Sequence, residues 1–252
     1  WSSATKSRVV SIKNGVSEDG TYFFLDDTTG LYYRLSSDKT ASVLNDLTAT
    51  EAWSGEVELS SAITYGDEQY TLTEIAVQAF YSNSDKVTKI VLPNTLQKIG
   101  NYAFANMILT EIALPDSVTE IGYSLFDQTT TLEQVTFSKN ISVVPSSTFS
   151  DNAKLTAFDF SGIEEIGEGA FKNCGLTQAD LSNVKSIAKN AFAGCSALNA
   201  VTFSQELESI GSYAFYETAL TEIYVPASVA EIGDYALSLI HISEPTRPRL
   251  IS

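Results

Sequence analysis

Residues 87–107 read VTKIVLPNTLQKIGNYAFANM, and the chain restates that pattern six more times. Leu109 opens LTEIALPDSVTEIGYSLF, Leu132 opens LEQVTFSKNISVVPSSTF and Leu155 opens LTAFDFSGIEEIGEGAF; Leu176, Leu198 and Leu220 open three more. From Val87 onward the openings fall 22, 23, 23, 21, 22 and 22 residues apart. A fixed period in the twenties is the signature of a solenoid, in which each repeat buries its apolar face only against its neighbours.

Each position in the repeat has a physical reading. Ile112 and Leu114 stand two apart, so they face one side of a strand and enter the core, while Glu111 and Ala113 face the other side. A Pro or Ser ends the strand at Pro93, Pro115, Ser138, Ser161, Ser182, Ser204 and Pro226; proline does so by lacking an N–H and fixing φ. A second apolar pair follows, such as Val118 and Ile121. Glycine comes next at Gly100, Gly122, Gly167, Gly211 and Gly233, where a tight corner or a close backbone approach is expected. The Ala-Phe pair then reads as one short helical or 3-10 turn, with phenylalanine as the core wedge. Stacked in register, the slices place their strands about 4.8 Å apart in a parallel sheet. The expected architecture is a solenoid with this sheet on one wall and the turns and second short strands on the others.

Residues 1–71 lack the repeat and read as a β-rich cap or the end of a preceding domain. Val9–Ile12, Tyr22–Leu25, Leu31–Leu35 and Ala41–Leu44 are short strands punctuated by Asn14-Gly15, Asp26–Gly30 and Ser36–Thr40, turn-forming residues in each case. This antiparallel meander is expected to cover the open edge of the first repeat, because a bare end slice exposes core and unpaired strand groups. Val57 and Leu59 alternate like a strand. Leu72 and Ile75 supply the first leucine–isoleucine step, and Ala79-Phe80 the first Ala-Phe pair, of a degenerate repeat. The solenoid thus runs over 72–236.

The formal net charge is −16, and no arginine stands between Leu72 and Ala236. That argues against nucleic acid, whose binding rests on Lys and Arg at phosphates, and against anionic membrane surfaces. There is no apolar run of about 18 residues to span a membrane. The chain begins at Trp1 with no signal peptide, which reads as a cut.

The pattern LxxIxLPxxVxxIGxxAFxxC resembles the leucine-rich repeat of bacterial surface proteins, the BspA-like family. The resemblance covers Leu72 to Ala236, because the Leu-Pro, Ile-Gly and Ala-Phe steps recur together. The repeats from Leu155 and Leu176 are one residue short after Ser161 and Ser182, and the final cysteine survives only as Cys174 and Cys195. The resemblance implies a leucine-rich repeat solenoid, display on the cell surface or secretion, and adhesion to host or bacterial proteins. After Ala236 the expected Ala-Phe is missing; Leu237–Arg247 resembles the conceptual translation of a sequencing adapter, so 237–252 is read as a non-native tail.

The only histidine, His241, lies in that tail, so no Ser-His or Cys-His catalytic pair can be assembled. No zinc-ligand or phosphate-loop motif occurs, and the acidic run Glu18–Asp27 lacks the alternating ligands of a calcium loop. Acidic pairs such as Glu164 and Glu165 are abundant, but stacked slices provide no closed, pKa-shifting cleft. No catalytic residue, metal or cofactor is therefore expected. Cys174 and Cys195 fall at one place in adjacent repeats and read as buried thiols or as a disulfide.

The candidate binding residues are the outward strand positions. One column holds Lys89, Glu111, Gln134, Ala157, Gln178, Ala200 and Glu222; the other holds Val91, Ala113, Thr136, Asp159, Asp180, Thr202 and Tyr224. Asp159 and Asp180 are expected as neighbours. Lys89, Glu111, Gln134, Asp159, Gln178, Asp180, Glu222 and Tyr224 form the predicted ligand face, for proteins or glycans. Tyr102, Tyr123, Tyr213 and Tyr235 near the corners read either as further contact groups or as packing over the turns. The functional readings are a non-catalytic binding module, a structural spacer, and an accessory domain of a larger enzyme.

Overall fold

The computed structural model describes residues 15–16, 21–26, 30–45, 55–81, 87–238 and 241–243. The expected strand Val9–Ile12 and the turn residues Asn14 and Asp27–Thr29 lie outside the described residues. The chain divides into two compact units, Trp1–Ile141 and Ser142–Ser252, and both are leucine-rich repeat solenoid.

In the first unit the strands β1 (Gly15–Val16), β2 (Tyr22–Leu25), β3 (Tyr32–Leu35) and β4 (Thr40–Leu44) form the expected antiparallel meander. Next come β5 (Gly55–Glu58), β6 (Ala62–Tyr65), β7 (Glu68–Ile75), β8 (Val87–Val91), β9 (Lys98–Ile99), β10 (Glu111–Ala113), β11 (Glu120–Ile121) and β12 (Gln134–Thr136). Two ladders emerge. The wall strands pair parallel as β5 with β8 and β10 with β12. The second short strands pair parallel as β7, β9 and β11.

The cap adds strands to the first repeat, as the sequence reading expects. The meander reaches the second-strand ladder through β4, with Ala41 opposite Leu72 and Val43 opposite Ile75. The wall ladder is extended by β5, where Val57 lies opposite Ile90 and Leu59 N–H donates to Val91 O at 3.0 Å. Leu72 and Ile75 supply the second-strand step of the degenerate first repeat: Ile75 lies opposite Ile99, which makes Leu72 the counterpart of Leu96. Unanticipated is the hairpin of β6 with β7, whose two-residue turn Gly66-Asp67 uses Gly66 at φ +64°.

The second unit contains β13 (Val143–Val144), β14 (Glu165–Ile166), β15 (Gln178–Leu181), β16 (Ser186–Ile187), β17 (Ala200–Phe203), β18 (Ser209–Ile210), β19 (Glu222–Tyr224), β20 (Glu231–Ile232) and β21 (His241–Ser243). β13, β14, β16, β18 and β20 form one five-stranded parallel ladder. The wall strands pair parallel as β15 with β17 and β19 with β21. Leu155–Phe160 is not a strand. There Phe158 stands where other slices carry smaller aliphatics such as Ile112 and Val201, and the next slice answers it with buried Ala179, a volume exchange between neighbours.

The Ala-Phe segments are not helices, and the hydrogen bonds give the reason. Alternate N–H groups bond within the slice and to the next one. Ala170, Lys172 and Cys174 donate three residues back, at 3.2, 3.1 and 3.2 Å, while Gly169, Phe171 and Asn173 donate to Lys189, Ala191 and Ala193 of the following slice at 2.9, 2.8 and 2.9 Å. An α-helix spends every interior N–H on itself, so it cannot hold its neighbour this way. The alternation needs left-handed residues four apart, as at Tyr102 and Asn106 (φ +55° and +56°) and at Asn190 and Gly194 (φ +57° and +75°).

Phenylalanine fills the space behind these turns. Phe80, Phe104 and Phe126 stack at 5.6 Å in the first unit; Phe149, Phe171, Phe192 and Phe215 stack at 5.2–5.4 Å in the second, all fully buried. Each such ring contributes about 1.5–3 kcal/mol by burial. The glycine after the second strand answers a close approach: a Cβ on Gly100 would lie 2.5 Å from Val77 N, and one on Gly167 2.6 Å from Ser146 N, and neither glycine has positive φ.

Candidate functional site

In the first unit the outward columns converge as expected. Lys89, Val91, Glu111, Ala113, Gln134 and Thr136 line a shallow open groove of about 270 Å³. The strands beneath place alternate side chains here because Ile90 and Ile112 occupy the core. Lys89 Nζ lies 3.6 Å from Glu56 Oε1 and 4.0 Å from Glu111 Oε1. Glu56 opposes Lys89 in the β5–β8 register and belongs to the same column; the sequence reading missed it. These pairs are solvent-exposed, so they orient Lys89 more than they stabilise the fold. Gln134 pairs in register with Glu111, which sets an amide beside the carboxylate.

In the second unit the corresponding positions do different work. Asp159 lies outside any strand, and its Oδ1 accepts the Ser161 N–H at 2.9 Å. That bond to the carboxylate holds the Asp159 pKa below its ordinary value. Asp180 Oδ1 accepts the Ser182 N–H at 3.2 Å in the same way, and in the sheet Asp180 opposes Thr202. These are Asx turns, and they occur in the two repeats that are one residue short. Where the strand-ending residue is proline, no N–H is present to donate such a bond. Ser138 and Ser204, in full-length repeats, instead use their own hydroxyls to accept from Asn140 and Glu206 N–H at 3.2 and 3.0 Å. Gln178, Glu222 and Tyr224 are exposed on β15 and β19, Tyr224 at 46%.

Cys174 and Cys195 are free and buried. Their thiols donate to Phe149 O at 2.9 Å and Phe171 O at 3.0 Å in the preceding slice. Thr129 does the same for Phe104 O at 2.9 Å, so in these three slices the position is a buried donor that ties one slice to the last. Burial pushes both thiols up, Cys195 to about 12, which leaves them protonated and poor nucleophiles. Among the described residues no group of three His, Cys, Asp or Glu could hold a metal ion, and no helix is long and apolar enough to cross a membrane.

The repeat has a recognised sequence family. The family described as the BspA type leucine rich repeat region, in six copies, matches residues 73–183 and 164–249. The chain belongs to this family. Solved structures agree on the leucine-rich repeat fold. A leucine rich cell surface protein of Faecalibacterium prausnitzii A2-165 is 24% identical with a TM-score of 0.57, over 88% of this chain and 54% of that one. A leucine-rich repeat protein of Eubacterium ventriosum is 23% identical with a TM-score of 0.54, over 94% of this chain and 54% of that one. The T. pallidum leucine rich repeat protein is 25% identical with a TM-score of 0.63, over 77% of this chain and 89% of that one. The chain thus spans about half the length of the first two. No curated protein matches it in sequence.

Proposed function

We propose that this BspA-type chain is a non-catalytic recognition module of the adhesion type, secreted or displayed on a bacterial surface, and that it binds host or bacterial surface proteins or glycans through the strand face of its first unit. One observation carries the reading. The groove over β8, β10 and β12 gathers an ammonium, a carboxylate, an amide and a hydroxyl from Lys89, Glu111, Gln134 and Thr136, none of which the core requires. Open solenoid faces of this kind suit extended partners, because neighbouring slices present contacts at a regular spacing. The surface assignment draws support from the Faecalibacterium relative, a cell surface protein.

The test is a solid-phase assay of the 252-residue chain on immobilised fibronectin, laminin and mucin. The triple variant Lys89→Ala/Glu111→Ala/Gln134→Ala should lose binding at least tenfold on whichever surface retains the parent. Absence of binding to all three surfaces, or equal binding by parent and variant, would defeat the proposal.

A further inference from the structure

The corner turns of the second unit carry a feature that neither the fold nor the strand face uses. Tyr213 and Tyr235 stand at left-handed positions, φ +59° and +57°. Asn190 and Gly169 hold the corresponding place in neighbouring slices, also at positive φ, and those are the residue types that enter this region easily. Tyrosine there costs backbone energy that asparagine or glycine would spare; Tyr102 takes the same place in the first unit, at φ +55°, and its ring meets Tyr123 edge-on at 5.2 Å. The Tyr213 and Tyr235 rings stack at 5.1 Å and 19°, and Tyr216 meets Tyr213 edge-on at 5.6 Å. Tyr235 is 62% exposed, so it covers little of the turn below it.

Beside this platform lies an open groove of about 370 Å³ that Tyr213 and Tyr216 share with Lys172, Asn190, Lys189 and Glu217. Its charges are nearly balanced. Lys189 Nζ is 3.8 Å from Glu168 Oε1, and the Glu217 carboxylate next to Tyr216 raises the pKa of its hydroxyl. A polyanion, nucleic or peptidic, would meet those carboxylates. Flat aromatic faces beside amide, ammonium and carboxylate groups instead match a pyranose chain, whose C–H faces stack on rings and whose hydroxyls both donate and accept.

The geometry points to an uncharged glycan chain bound at the Tyr213–Tyr235 platform and the adjoining groove, a site separate from the strand face. Titration calorimetry of the 252-residue chain with cellohexaose, mannohexaose and chitohexaose tests it, with hexagalacturonate and a hexaglutamate peptide as acidic arms. At least one neutral hexasaccharide should bind, and Tyr213→Asn/Tyr235→Asn should weaken it at least tenfold. Asparagine suits the left-handed backbone, so this variant keeps the fold, as its circular dichroism should show. Lys89→Ala/Glu111→Ala/Gln134→Ala should bind the sugar as the parent does, which separates this site from the strand face. Failure of all three neutral sugars, binding undiminished in the asparagine variant, or tighter binding of either acidic arm would overturn it.

Discussion

In two slices of the first unit the outward residue two places before the strand end is Val91 or Ala113, the strand ends in Pro93 or Pro115, and Lys89 is left to reach Glu56 and Glu111 across the sheet. In the second unit the same column holds Asp159 and Asp180, the strands end in Ser161 and Ser182, and each carboxylate folds back onto the serine N–H. One column of the repeat thus serves as surface in the slices of Val91 and Ala113 and as turn cap in those of Asp159 and Asp180. The cap needs both a carboxylate in the column and a strand-ending residue with an N–H, which proline lacks.

The framework common to both units should respond most strongly. Phe104→Ala in the first and Phe171→Ala in the second remove fully buried rings stacked on both sides. Each should cost about 3–5 kcal/mol in denaturant unfolding. A much smaller loss in one unit would mean that its turns are held by something other than the ring stack.

Next come the buried thiols. Cys174→Val removes the thiol's hydrogen bond to the Phe149 carbonyl and should cost about 1 kcal/mol; Cys174→Thr, which restores a donor of the kind Thr129 supplies, should cost clearly less. The thiols also add a pH signature. Their folded pKa values are raised, so the folded state holds its protons where the unfolded state releases them. Stability is therefore full below the unfolded value of about 8.5 and falls as pH rises toward the folded value, about 12 for Cys195. Cys174→Thr/Cys195→Thr should lose less stability than the parent across that window.

The turn caps sharpen the comparison directly. Asp159→Ala and Asp180→Ala should each cost about 1 kcal/mol, the worth of an exposed charge-assisted hydrogen bond after solvent screening. Because the Asp159 pKa is lowered on folding, its contribution is full above about pH 4 and is lost as pH falls through the folded value. The parent and Asp159→Ala should therefore converge in stability in acid. Transplanting the carboxylate as Ala113→Asp should change stability by under about 0.5 kcal/mol, because Pro115 has no N–H to offer. Lys89→Ala should cost at most about 1 kcal/mol and less at high salt.

Much of the fold was legible because a strand's side-chain period of two and a repeat of about 22 residues are local facts. The inward Ile112 and outward Glu111 needed nothing else. The register of the first repeat was harder, because the spacing Leu-x-x-Ile occurs twice per slice, as Leu109-Thr-Glu-Ile112 and as Leu96-Gln-Lys-Ile99. Leu72-Thr-Glu-Ile75 matches both. Only the run from Ile75 to Phe80, the same length as that from Ile99 to Phe104, assigns it to the second strand. That ambiguity also hid Glu56. The Ala-Phe turns look helical because alanine favours helix; their actual shape comes from bonds to the next slice, which no window of sequence displays. At the site, Asp159 and Asp180 were visible as outward residues, but their engagement depended on the serine two positions on, a coupling that a column-by-column reading does not test.

The most direct measurement is hydrogen exchange of the 252-residue chain with and without whichever of fibronectin, laminin or mucin it binds. Slowed exchange confined to 89–91, 111–113 and 134–136, with 157–161 and 178–182 unchanged, is the predicted result. Slowing at 157–161 and 178–182 with the first unit unchanged would contradict the account.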